Sequence, residues 1–282
     1  MSLLQRKLIQ ISRQTIKKIH KFSRRGKNQG APILVNSVPK SGTHLLYQLF
    51  SNSNYLYDYN TFIASMPSFT QKEIGISKTL NQISSIMSQE LVRGHIFYNK
   101  SIDKLINSRK IIHFFIYRDP RDIAISEANY LYDMNKFHSL HKTYKNLHSF
   151  EDRILFSILG NEYIKTKTFY PNISERFSMY KKWIESNNIL CVKYEDLVVK
   201  NNHEEIKRIM MYYIKNANLK NLNINILLKN ALNNIDPNKS HTFREGGINK
   251  WKIVFTEKHK DVFKAISGEL LIDLGYEKDL NW

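Results

Sequence analysis

The segment VNSVPKSGTHLL, residues 35–46, places a lysine, a serine, a glycine and a threonine between two apolar runs. A strand that ends in a tight turn and feeds a helix leaves backbone N–H groups pointing outward, and together with the helix dipole they attract an anion. Lys40 with the amides of Ser41, Gly42, Thr43 and His44 therefore predicts a phosphate cradle. It is not the G-x-x-x-x-G-K-[ST] loop of nucleoside triphosphatases, because Lys40 precedes Gly42.

Three further stretches carry groups of matching chemistry. YRDPRDIAISEANY sets Arg118 at the end of an apolar run and Ser126 eight residues later. FREGGINKWKIVFT holds Arg244 and Gly246 in a loop that closes on Trp251, and VKYEDL ends a strand on Tyr194. Guanidinium groups suit a terminal phosphate because they give paired, charge-assisted hydrogen bonds. VRGHIFY brings Arg93 and His95 to another strand end, and an imidazole of ordinary basicity is neutral and able to accept a proton at neutral pH.

PKSGT after a strand, then YRDPRDIAISEANY, VKYEDL and FREGGINKWKIVFT, resemble in order and over roughly residues 31–275 the sulfotransferases that use 3′-phosphoadenosine 5′-phosphosulfate (PAPS). The resemblance implies an α/β fold, a P-loop-like three-layer sandwich with a central parallel sheet flanked by helices. It implies that Lys40, Ser41, Gly42, Thr43 and His44 hold the 5′-phosphosulfate and that Arg118, Ser126, Arg244 and Gly246 hold the 3′-phosphate, with Tyr194 beside the adenine. His95 becomes the general base, with Glu90 in reserve. Lys40 and Arg93 become the cations at the transferred group, no metal is needed, and adenosine 3′,5′-bisphosphate (PAP) leaves. Three positions depart from the pattern: Leu45 stands where a tryptophan is frequent, Glu245 where lysine is, and Asn249 replaces a glycine.

Positioning these residues requires strands alternating with helices, which is the signature of a parallel sheet covered on both faces. Strands are expected at ILVNSV, LVRGHIF, KIIHFFIY and NILCVKY. Helices are expected over residues 43–52, 120–134, 147–160, 172–187 and 204–215, with a last one from Thr256 to before Gly275. Asp119 and Pro120 are the cap and first-turn proline of the second. Residues 53–90 read as loops and small helices around a binding mouth.

The chain has 282 residues and a net charge of +18. Residues 1–27 hold nine cations and no acid, with Leu4, Leu8, Ile11, Ile19 and Phe22 at helical spacing. This predicts a basic amphipathic helix (1–27) ahead of the main domain (28–282). One reading lays that helix on an anionic membrane surface; the other docks its apolar stripe on its own domain with the basic side in solvent. Cys191 is the only cysteine and no run of about 18 apolar residues occurs, so the expectation is a cytoplasmic protein, with the tail as its candidate attachment to the inner face of a membrane. The acceptor is expected to be a hydroxylated molecule, with a glycan or lipid headgroup favoured by the polar loops. A nucleotide or metabolite kinase is the alternative, weakened by the misplaced lysine. A basic nucleic-acid-binding protein would account for the charge but not for the separate anion motifs.

Overall fold

The computed structural model describes residues 3–23, 30–199, 202–236 and 247–282. Five strands, β1 (Ile33–Ser37), β2 (Phe62–Ala64), β3 (Leu91–His95), β4 (Ile112–Tyr117) and β5 (Ile189–Lys193), form one sheet in the order β2-β3-β1-β4-β5. Every pairing is parallel. β1 and β4 are buried along their whole length, as strands covered on both faces must be.

The helices are α1 (Leu3–Ser23), α2 (Thr43–Phe50), α3 (Ile76–Ser84), α4 (Lys100–Ser108), α5 (Pro120–Asn129), α6 (His141–Lys145) and α7 (Phe150–Leu159), followed by α8 (Ile173–Lys181), α9 (Tyr194–Val198), α10 (His203–Asn216), α11 (Ile224–Asn234), α12 (Trp251–Val254) and α13 (Glu257–Asp273). Alternate strand residues enter two separate cores. Leu34, Val92 and Phe115 pack with Ile83, Ile106, Phe156, Phe177 and Phe263 from α3, α4, α7, α8 and α13. Ile33, Val35, Phe114 and Val192 pack with Leu46, Ile209 and Leu227 from α2, α10 and α11. This is the expected three-layer sandwich.

Two expected helices end early. The helix begun at Asp119, whose carboxylate accepts from the Arg121 amide at 2.9 Å, is α-helical only to Asn129 and then widens into a π turn over residues 130–134, closed by the Asn135 amide on the Tyr130 carbonyl at 3.0 Å. The helix expected over 172–187 stops at Lys181. Of the unforeseen elements, β2 is three residues long and is recruited by pairing with β3, not by a hydropathy pattern of its own.

α1 docks in the opposite sense to the second reading of the tail. Arg13 pairs with Asp58 at 3.1 Å, Lys17 with Glu90 at 2.6 Å, and His20 Nδ1 meets the Tyr59 hydroxyl at 2.7 Å. Ile11, Ile16, Ile19 and Phe22 face solvent. The side chains of Leu4 and Leu8 lie outside the described residues.

Candidate active site

The C-terminal ends of β1, β3 and β4, with the start of α9 after β5, converge on one cavity of about 1050 Å³. Parallel strands ending together place their terminal residues and the following turns around a common crevice.

At the end of β1 the chain turns through Lys40, whose φ is +68°, and Gly42, whose φ is +93°. Gly42 is required twice over: its φ is left-handed, and a Cβ there would come within 2.4 Å of the Tyr194 ring. The turn brings the start of α2 to the cavity, which Lys40, Gly42, Thr43 and His44 line. Ser41 is different. It is fully buried, does not line the cavity, its hydroxyl has no partner among the described residues, and its amide donates to the Val38 carbonyl at 3.3 Å, so it supports the turn from behind. Burial in this site lowers the Lys40 ammonium to about 8; Glu127 opposes that fall, and Arg118 adds to it. Lys40 Nζ lies 3.7 Å from the centre of the Tyr130 ring, on the π turn.

The candidate second anion position is at the end of β4. Arg118 lines the cavity, with Nη2 donating to the Gly247 carbonyl at 2.9 Å and to Asp122 at 3.3 Å, and its guanidinium stacks over Tyr194 at 4.5 Å. Its Nε is buried with no partner among the described residues, an unfilled donor of the kind a phosphate oxygen would satisfy. Ser126 and Tyr194 line the same cavity. Asp122 also accepts from the Trp251 amide at 3.0 Å and so fastens the loop before α12 to α5. Arg244, Glu245 and Gly246 lie outside the described residues. Asn249 has φ +58°, a left-handed conformation that asparagine tolerates, so it serves where the related sequences use glycine. Leu45 faces the cavity with Val198, Ile235 and Ile248, an apolar set where a flat base could rest.

A support that sequence reading missed stands behind this end. Arg121 is buried between the Trp251 and Trp282 rings, at 3.6 and 4.4 Å, while it pairs with Asp119 at 2.7 Å and Glu277 at 2.6 Å. The second arginine of RDPRD, at a buried first-turn position, was the available signal.

His95 ends β3 and lines the cavity. Its Nδ1 lies 3.1 Å from the Ser37 carbonyl and 3.0 Å from Ser37 Oγ, which in turn meets Thr43 Oγ1 at 2.5 Å. A carbonyl only accepts, so Nδ1 carries the proton and Nε2 keeps its lone pair. Desolvation lowers this imidazole to about 4; the Ser37 carbonyl resists the shift, while Lys40 and Arg93 reinforce it. Beyond His95 the strand end is fixed by Asn36, whose side chain donates to the Ile96 carbonyl at 3.2 Å and accepts from its amide at 2.8 Å.

Like Ser41, two further expected groups are absent from the cavity lining. Arg93 is on the same strand face as His95, yet its guanidinium stacks on Tyr47 at 4.4 Å and donates to Asn60. It reaches the site only as a charge. Glu90, the reserve base, is fully buried and accepts from Lys17 at 2.6 Å, Thr61 at 2.6 Å and the Met87 amide at 2.8 Å, so it is committed to holding α1. His113, on β4, is buried against Trp183 at 4.7 Å with no hydrogen-bond partner for either ring nitrogen among the described residues, away from the cavity lining.

The far wall differs in character. Phe62, Met66, Phe97, Phe177, Met179 and Tyr180 present apolar surface, with Phe62 edge-on to His95 at 5.1 Å. Polar groups interrupt it: the Glu127–Arg176 pair, 2.6 Å apart, His138, and Ser68, Gln71 and Asn135 toward the opening.

A parallel α/β sandwich with an anion loop after its first strand and a second anion position at the end of β4 defines a class of group-transfer proteins. The family profile described as "Sulfotransferase domain" matches residues 31–275, and the chain belongs to that family. Among solved structures it is similar to mouse sulfotransferase SULT7A1 complexed with PAP, at 19% identity with 87% of each chain covered and a TM-score of 0.58. It is also similar to retinol dehydratase in complex with androsterone and inactive cofactor PAP, at 15% identity, 85% of this chain, 80% of the other and a TM-score of 0.54. Retinol dehydratase in a complex with retinol and PAP follows at 16% identity, 86% and 82% coverage and a TM-score of 0.53. No curated protein matches the sequence.

Proposed function

We propose that this sulfotransferase moves a sulfuryl group from PAPS to the hydroxyl of an apolar acceptor, with His95 as general base and PAP as the released product. The carrying observation is the convergence in one cavity of Lys40, the partly unsatisfied Arg118 and a His95 whose tautomer leaves Nε2 free. PAPS supplies an activated sulfuryl group. His95 Nε2 takes the acceptor proton as the acceptor oxygen bonds to sulfur. Lys40 neutralises the charge that collects on the phosphate oxygen as the sulfur–oxygen bond breaks. A donor's negative charge beside Lys40 raises the basicity of His95 from its ligand-free value, because it offsets the cations that depress it.

The acceptor wall shifts the expectation drawn from sequence. Its aromatic and thioether surface suits a lipid-like alcohol better than a glycan. The structural relatives that hold retinol and androsterone support this reading. The tail adds a second element. With Arg13 and Lys17 engaged by Asp58 and Glu90, and with the exposed Lys18 beside the outward Ile11, Ile16, Ile19 and Phe22, α1 is suited to lie on an anionic bilayer.

The test is thermal stabilisation by PAP against ADP. PAP should raise the melting temperature more, because ADP lacks the 3′-phosphate that Arg118 meets, and Arg118→Ala should erase the difference. Equal shifts with the two nucleotides, or a response that needs magnesium, would favour the kinase reading.

A further inference from the structure

The cavity opens where its lining residues reach solvent, at Phe62, Ser68 and Met134. Three loops build that rim. The loop after β2 and the loop after the π turn are tied together, the Ser139 amide donating to the Ser68 carbonyl at 3.3 Å and Gln71 meeting His138 at 3.2 Å. The third precedes α8 and contributes Tyr170 and Pro171 to the wall. Each loop carries one phenylalanine that does not line the cavity and stands in solvent: Phe69 at 74% exposure, Phe137 at 70% and Phe169 at 56%. Exposed lysines accompany all three, with Lys72, Lys136, Lys165 and Lys167 outnumbering the exposed acids of these loops, Glu73, Asp133 and Glu162.

Exposed aromatic tips among cations around an apolar opening are what a lipid interface accepts: rings enter the acyl boundary while ammonium groups stay with anionic headgroups. α1 lies against the chain just before β2 and β3. Its Lys17 reaches Thr61 at 3.4 Å, the residue next to Phe62 on the rim, and its apolar residues also face outward.

We propose that the cavity rim is a bilayer-docking surface, seated on anionic lipid through Phe69, Phe137 and Phe169, so that an acceptor dissolved in the membrane reaches His95 without crossing water. The proposal rests on the reading of an apolar acceptor given above. A lipid-like alcohol is scarce in water and concentrated in the bilayer, and a mouth pressed to the interface draws on the larger pool.

The full chain, with Phe69→Trp and Phe137→Trp made singly, is mixed with vesicles of phosphatidylglycerol and phosphatidylcholine containing brominated acyl chains. Quenching of the added tryptophan relative to the parent protein is expected in both. The triple variant Phe69→Ser, Phe137→Ser, Phe169→Ser is then assayed with PAPS against hexadecanol held in the vesicles and pentanol in water. Transfer to hexadecanol should fall roughly tenfold while kcat/KM for pentanol holds. Equal loss with both alcohols would make the rim part of the acceptor site and overturn the proposal, as would absence of quenching. A concentration-dependent dimer that covers these rings without lipid would overturn it in favour of a second copy. Should no alcohol be sulfated, the proposed reaction fails, while the quenching still decides the docking surface.

Discussion

The donor end and the acceptor end of the one cavity are built by different means. At the donor end, Lys40 lies shortly after β1 while Arg118 and Tyr194 follow directly on β4 and β5, and residues close in sequence set the local conformation: Gly42 with φ +93° and Asp119 capping α5. At the acceptor end, the wall comes from β2, the loops after it, the π turn and α8, elements more than a hundred residues apart. The first region is local chemistry repeated three times along a parallel sheet; the second exists only after the chain has folded. His95 stands at the seam, its Nδ1 held by the donor loop's Ser37 and its ring edge covered by the acceptor side's Phe62.

That position makes His95 the most effective point at which to break the comparison. His95→Ala should lower kcat by a factor on the order of 10² or more and leave PAP stabilisation nearly unchanged, since the ring contacts the donor loop without supplying an anion ligand. Stopped assays with an apolar alcohol and PAP-dependent melting, run on the same preparation, check both halves of the statement. A variant that keeps its turnover would move the base elsewhere on the wall, to Glu127 or His138; Glu90 is excluded by its engagement with Lys17, Thr61 and Met87.

The contrast also accounts for what could be read beforehand. Four strands and the placement of Lys40, Arg118, Ser126 and Tyr194 around one cavity were legible because each depends on a short stretch: an apolar run, a turn glycine, a cap. β2 was not, because three residues carry no period and only β3 recruits them. The course of the Arg93 side chain was not legible for a related reason: it is set by Tyr47 and Asn60, which sequence does not place beside it. Of α1, the helix and its stripe were legible. Which side docks was not, since the buried carboxylate of Glu90 that draws in Lys17 sits 73 residues away.

The two ends should also titrate in opposite directions, an effect that grows to about tenfold per pH unit only outside the working range. In the free enzyme His95 must be neutral and Lys40 charged. The profile of kcat/KM should therefore be flat between its limbs, falling below about 4 as His95 takes a proton and above about 8 as Lys40 loses one. The profile of kcat should have its alkaline limb at higher pH, because bound phosphosulfate favours the charged lysine. Stability sets a separate acid boundary. Burial lowers His113 from 6.5 to about 3 in the folded chain, so the unfolded chain binds the extra proton and stability is lost progressively as pH falls from about 6.5 toward 3. Melting curves across the same buffers separate that loss from the acid limb of catalysis.

The smallest effect expected is at Arg93, and it sharpens the comparison most finely. The sequence pattern assigns it to the sulfuryl group, whereas the structure stacks it on Tyr47, bonds it to Asn60 and leaves it out of the cavity lining. A cation acting only at a distance changes the field at His95 without contacting the transferred group. Arg93→Gln keeps a donor for Asn60 and removes the charge, so kcat should change by less than about threefold. Because the Arg93 charge helps to depress His95, its removal should also move the acid limb of kcat/KM to higher pH. A pH series on the parent and the glutamine variant reads both quantities. A loss of a hundredfold with the acid limb unmoved would mean that the guanidinium leaves Tyr47 and engages the sulfuryl oxygens when donor binds, and the boundary between the two ends would then pass through Arg93 as well as His95.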